Sequence, residues 1–139
     1  MDALKDPLTY ACTLVHAGEV DACVAGAEYA TADVTRTALQ IVGTASDASF
    51  VSSFLLMIMK HDFQPLKDIV AFADCALMVD PNADELAEIA IQTGNSINAL
   101  LGTTPRIGML SFSTDGSARH PHVEKVQNAT AQVLSLIHI

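Results

Sequence analysis

Apolar runs of strand length alternate along this chain with stretches of helical period, and small or polar residues separate them. That order constrains the fold most, because strands interleaved with helices of this length argue for a mainly parallel sheet covered on both faces. Asp6-Pro7 opens the first helix with a capping carboxylate and a proline at its first position. Leu8, Cys12 and Val15 share one face of it, and Gly18 ends it. Asp21–Ala25 reads as a short buried strand halted at Gly26, and Thr31–Val42 returns to helical spacing with Val34, Ala38, Leu39 and Val42 inward. Residues 43–49 form a small, polar loop suited to a domain crossing. Phe50–Met59 and Asp68–Ala73 are predicted strands. Asn82 and Glu85 have capping-box spacing ahead of a stripe of Leu86, Ile89, Ala90, Ile97, Leu100 and Leu101, interrupted by Gly94. A strand over Arg106–Ser113, a Ser/Gly loop and a helix from about Pro121 complete the order.

Composition narrows the function. Half of the 139 residues are apolar and 17% are charged, a core-rich balance far from that of a disordered chain. A formal charge of −9 without a Lys/Arg cluster argues against nucleic acid and anionic membrane as partners. The apolar run Phe54–Met59 is too short to span a bilayer, and Met1–Asp6 does not open a secretory signal. Three widely spaced cysteines, Cys12, Cys23 and Cys75, match neither a CxxC nor a zinc pattern. Each sits in an apolar stretch where a thiol packs as a small hydrophobe, which suits a reducing, cytoplasmic setting. His120-Pro-His122 lacks a third ligand at a useful interval and reads as loop histidines, so no metal is expected.

Two places share a design in which an apolar run meets small or hydroxyl residues before a helix. In the first, VAGAEYATAD (24–33) leads into a helix that carries Arg36 in its early turns. Open amides and the positive helix end favour an anion there, and a guanidinium adds a planar fork for phosphate or a carbonyl oxygen. In the second, LSFSTDGSA (110–118) sets four hydroxyls, Ser113 and Thr114 among them, around one glycine. By residues alone that loop reads equally as a phosphate cradle or as Ser/Thr turns with a helix cap. Asp33, Asp74 and Asp80 are each candidates for a general base, and capping or turn formation accounts for them as well.

The run DPLTYACTLVHAGEVDACVAGAEYATADVTRTALQIVG resembles the phosphate acetyl/butyryltransferase family, and the likeness continues through VSSFLLM, FADCALMVDPNADELAEIAI, PRIGMLSFSTDGSA and VEKVQNAT. It covers nearly all of residues 2–133. The resemblance implies an α/β fold of the isocitrate/isopropylmalate dehydrogenase type, a two-domain αβα sandwich. Residues 1–42 would belong to the first domain and 43–133 to the second. It implies reversible acetyl transfer between coenzyme A and inorganic phosphate, with acetyl-CoA, phosphate and acetyl phosphate as ligands, no added cofactor, and a homodimer for the full-length protein. Arg36 matches the family's active-site Arg in TADxxRxALQ, Thr31 lies in the same turn, and Ser113 and Thr114 are expected to line substrate. A cleft cysteine found in some members falls at Asp62 here, so no thiol role carries over.

The departures shape the expectation as much as the matches. The family's NDLSRG run and the Asp that follows it do not occur here, nor does an upstream Arg, so the chain is read as an internal piece and expected to be inactive alone. Surfaces that missing strands should cover imply poor solubility or a molten state. Two alternatives belong beside the transferase: a butyryl-CoA-preferring relative, and the acetyl-CoA-sensing domain that ends bacterial malic enzymes. The last six residues, Leu134–Ile139, correspond to one reading frame of a transposon-end sequence used in preparing sequencing libraries, and are expected to be foreign to the fold.

Overall fold

The computed structural model describes residues 2–46, 48–60, 69–114 and 117–136. They group into two compact units, Met1–Ser49 and Phe50–Ile139.

In the first unit a short 3-10 turn, Asp2–Lys5, precedes α1 (Pro7–His16), which packs against α2 (Thr31–Ile41). The Thr9 amide donates to Asp6 Oδ2 at 2.8 Å, the cap expected from Asp6-Pro7. Gly18, at φ 72°, lets the chain leave α1 in the left-handed region that side chains disfavour. Leu8 and Cys12 are the buried residues of α1. Among the described residues α2 buries none, and Leu39 and Val42, expected inward, are exposed.

In the second unit β1 (Phe54–Ile58) pairs with β2 (Ile69–Ala73), Phe54 opposite Ala73 and Ile58 opposite Ile69. The pairing is antiparallel, against the parallel order predicted from alternating elements. Only residues 59–68 separate the strands, and a parallel crossover needs roughly a dozen residues or more. The expected start of β2 at Asp68, and His61 and Asp62, lie outside the described residues. The segments predicted as strands over 21–25 and 106–113 have no ladder partner among the described residues. Extended backbone becomes a strand only when a neighbour takes up its hydrogen bonds.

Helix α3 (Ala83–Leu101) starts with the full capping box, Asn82 accepting from the Asp84 and Glu85 amides and Glu85 accepting from the Asn82 amide at 2.7 Å. It packs against α4 (Pro121–Leu136) through a seam of Ala87, Ala90, Ala129 and Val133, with Leu86, Ile91 and Met109 against it. Small residues there let the helix backbones approach closely. Gly94 has a packing reason too: a Cβ at that position meets Ile107 Cδ1 at 3.1 Å, where the extended 105–107 segment crosses α3. Leu100, predicted inward, is exposed beyond the end of the seam. Helix α4 continues through Leu136, with Leu134 and Leu136 exposed. Among the described residues no helix is long and apolar enough to cross a membrane.

Asp74 ties this unit together. It accepts from the Ser53 amide (3.0 Å) and hydroxyl (2.6 Å) just before β1, and from the Ala76 (2.7 Å) and Leu77 (3.0 Å) amides just after β2. Burial acts to raise its carboxyl pKa. The bonds from Ser53, Leu77 and Ala76 outweigh burial and bring it to about 2, against an ordinary 3.8. A depressed folded value means that the stabilisation is complete above the ordinary pKa and is lost as pH falls through about 2. In the folded full-length protein the Asp74 carboxyl resonance should therefore titrate near 2 in NMR. In Asp74→Asn, protection of the Ser53, Ala76 and Leu77 amides from hydrogen exchange should fall by about tenfold near neutral pH, the worth of roughly one hydrogen bond. An ordinary titration midpoint with unchanged protection would remove Asp74 from this role.

Both strands also expose apolar side chains, including Leu55, Met57, Ile58 and Phe72, and the unpaired segment 106–113 exposes Leu110 and Phe112. The 139-residue chain should bind the dye ANS strongly at neutral pH and lose its far-UV signal over a broad thermal range. Weak dye binding with a sharp, reversible melt would contradict this.

Candidate functional site

The first candidate lies at the start of α2. Ala30 occupies the N-cap position and no side chain bonds the first-turn amides. Thr31 is the first helical residue and is exposed. Arg36 extends from the second turn, and its Nη1 donates to Asp33 Oδ1 at 2.7 Å. Both side chains are well exposed, 62% for Arg36 and 53% for Asp33. Thus Asp33, a candidate base by sequence, serves here as the guanidinium's partner. An exposed pair of this spacing adds little stability, but it fixes the direction of a fork that carries five N–H donors. Thr31 and Arg36 therefore share the opening turns of one helix.

A second contact holds the approach to that helix. The Tyr29 hydroxyl donates to Asp6 Oδ1 at 2.6 Å, so one carboxylate caps α1 and anchors the residue just before α2. Hydrogen bonds from Tyr29, then from Thr9, lower the Asp6 pKa, and the same Asp6 bond raises that of the Tyr29 phenol. Sequence reading found only the capping half of this role. The partner lies 23 residues away, and no local pattern signals it.

The hydroxyl loop belongs to the second unit. Ser113 is half-buried, and its Oγ accepts from the Ala118 amide (3.1 Å) and exchanges a bond with Ser117 Oγ (3.3 Å). The Ser113 amide donates to Ser111 Oγ at 3.2 Å, and the Thr114 carbonyl accepts from the Ser117 amide at 2.9 Å. Asp115 and Gly116 lie outside the described residues. The hydroxyls thus bond the loop's own backbone, as Ser/Thr turns do, while Thr114 faces solvent. Beside the loop is an open groove of about 400 Å³, with Ser111 and Ser113 on its rim and Met109, Val123, Val126 and Leu134 among its apolar lining.

The remaining candidates resolve into structural roles. Asp74 ties the segment before β1 to the turn after β2, as described. Asp80 accepts from Lys125 Nζ at 2.6 Å, and this bond lowers its pKa. His120 Nδ1 accepts from the His122 amide at 3.1 Å as α4 begins, and the His120 ring packs edge-on against Phe112. Among the described residues no three His, Cys, Asp or Glu side chains converge to hold a metal ion. Of the cysteines only Cys12 is buried. Cys23 and Cys75 are exposed, contrary to the expected core packing, because the apolar segments that carry them lie at the surface.

Comparison with known proteins gives the family. Residues 1–136 match the phosphate acetyl/butaryl transferase family. The chain is 46% identical over 136 residues to a phosphate acetyltransferase of Thermoanaerobacterium thermosaccharolyticum, covering 98% of this chain and 42% of that protein. It is 42% identical over 130 residues to one from Paracoccus denitrificans, covering 94% of this chain and 41% of that protein. Among solved structures, a phosphotransacetylase from Streptococcus pyogenes superposes with a TM-score of 0.81 at 39% identity, over 98% of this chain and 40% of the other. The EutD phosphotransacetylase from Staphylococcus aureus also gives 0.81, at 35% identity, over 97% of this chain and 39% of the other. The chain thus spans about two fifths of the length of these relatives. With a family match running through both candidate places, this chain belongs to the phosphate acetyl/butaryl transferase family.

Proposed function

We propose that this chain is part of a phosphate acetyltransferase, which moves an acetyl group between coenzyme A and inorganic phosphate. The observation that carries the reading is 46% identity over 98% of the chain to a protein of that name, with Thr31, Asp33 and Arg36 together at the head of one helix. The finer architecture we propose is the two-domain αβα sandwich, the first domain taking residues 1–42 and the second 43–133. The activity, the ligands and a homodimeric state belong to a full-length protein of the relatives' size.

In this reading the coenzyme A thiol gives up its proton to a base, and the sulfur attacks the carbonyl carbon of acetyl phosphate. A C–S bond forms, the C–O bond to phosphate breaks, and phosphate leaves with the bonding pair. The reverse reaction runs the same path. A free thiol titrates near 8.5, so an adjacent base and a fixed positive charge both help. Negative charge on the acyl oxygen and the phosphate is lowered most by donors set in place beforehand. Arg36 is the cation assigned to that task, and Thr31 and the open first-turn amides of α2 line the same place. Ser113 and Thr114 are assigned to holding substrate.

The test uses the full-length protein. Arg36→Gln should lower kcat/KM at least about tenfold for acetyl phosphate formation, the cost of losing a positioned donor. Arg36→Lys should recover only part of it, because an ammonium lacks the planar fork. Unchanged turnover in a folded Arg36→Gln enzyme would exclude Arg36 from the site. Absence of acetyl transfer in the unmodified protein would end the transferase reading.

A further inference from the structure

From His16 to Ala30 the chain joining α1 to α2 is exposed at every residue except Tyr29, which is half-buried. Its departure from α1 is held by the Glu19 amide, which donates to the Leu14 carbonyl at 3.0 Å. Its arrival at α2 is held by the Tyr29 hydroxyl, which donates to Asp6 Oδ1 at 2.6 Å. Asp6 is itself fixed, because its other carboxylate oxygen accepts from the Thr9 amide at 2.8 Å. A phenol donating to an ionised carboxylate makes a shorter and stronger bond than a neutral pair does.

The first turn of α2 has few other constraints. Among the described residues α2 buries none, and an element with few buried apolar contacts is held loosely by packing. Ala30 caps it through the backbone alone, its carbonyl accepting from the Asp33 (2.9 Å) and Val34 (3.1 Å) amides. Tyr29 directly precedes that cap. Asp33 directs the Arg36 guanidinium relative to the helix, and Tyr29 ties the head of the helix to α1. The two constraints act in series, so both must hold for the fork to have a fixed place.

We propose that the Asp6–Tyr29 hydrogen bond is a positioning element for the reaction: it sets where the head of α2 stands, and Tyr29 thereby acts through Arg36 without touching substrate. This role rests on the acetyltransferase reading above. A displacement of about 1 Å in a positioned group can cost on the order of a hundredfold in rate, so a bond remote from the reacting atoms can govern turnover.

The test measures steady-state kinetics of the folded full-length protein with inorganic phosphate and acetyl-CoA varied in turn. Tyr29→Phe removes only the hydroxyl and keeps the ring. It should lower kcat/KM for phosphate by about threefold to tenfold and leave KM for acetyl-CoA within about twofold. Asp6→Asn still caps α1 and keeps a neutral acceptor, so its loss should be smaller and in the same direction. Added to Arg36→Gln, Tyr29→Phe should cost less than about a further twofold, because its route to the phosphate is already gone. A loss that falls equally on both substrates, or that persists in full beside Arg36→Gln, would make the bond a fold contact only and overturn the proposal. So would unchanged kinetics in a folded Tyr29→Phe enzyme. An unmodified protein that moves no acetyl group would end the acetyltransferase reading, and the positioning role with it; activity in that control shows which of the two has failed.

Discussion

A carboxylate that gathers donors from two separate elements holds each unit together, and Asp74 is the fuller case. Two donors come from Ser53 ahead of β1 and two from the turn after β2. A two-stranded sheet is marginal by itself in water, so a side chain that joins the start of β1 to the end of β2 helps to hold its register. Asp6 works similarly in the first unit, capping α1 through Thr9 and holding Tyr29 ahead of α2. Both are hydrogen bonds to an ionised acceptor, stronger than those between neutral groups. They order turns that the apolar contacts leave loose.

The helices were legible because their signals are local. Asp6-Pro7, the Asn82–Glu85 box and Gly18 after α1 act within a few residues of their targets. Strands were less so. The β-type composition of residues 54–58 and 69–73 located them, but the direction of pairing follows from the length of the connection, which the element order alone conceals. Residues 21–25 and 106–113 have strand composition without a partner, and partnership is not a local property. Within the candidate site, Thr31 and Arg36 were found from the sequence. The Asp33 and Tyr29 contacts were missed, the first because an acid three residues before an Arg is common on helix surfaces, the second because it is long-range.

The apolar inventory adds a further constraint. Buried side chains of the second unit sit on α3 and α4, at Ala87, Ile89, Ala90, Ile97, Val123, Ala129 and Val133, while β1 and β2 turn Leu55, Ile58 and Phe72 outward. Strands this apolar are built to be covered. Relatives more than twice the length of this chain have the additional residues to do so, which fits the proposal that these strands belong to a larger sheet. The alanine seam between α3 and α4 needs no such help, since its contacts close within the described residues.

The pairing of Arg36 with Asp33 bears directly on the proposed chemistry. An exposed ion pair three residues apart contributes little, because water screens it and two side chains must be held to form it. Trading that carboxylate for a phosphate oxygen therefore costs little, whereas a phosphate gains a fork of donors and the open amides of a helix start. Asp33 also limits the rotamers that Arg36 explores before an anion arrives, and a donor fixed in advance needs less reorganisation as charge develops. A lone arginine on this helix would satisfy the charge requirement but not the geometric one. In the proposed reading Asp33 serves the geometric requirement, through an exposed pair whose contribution to folding is slight.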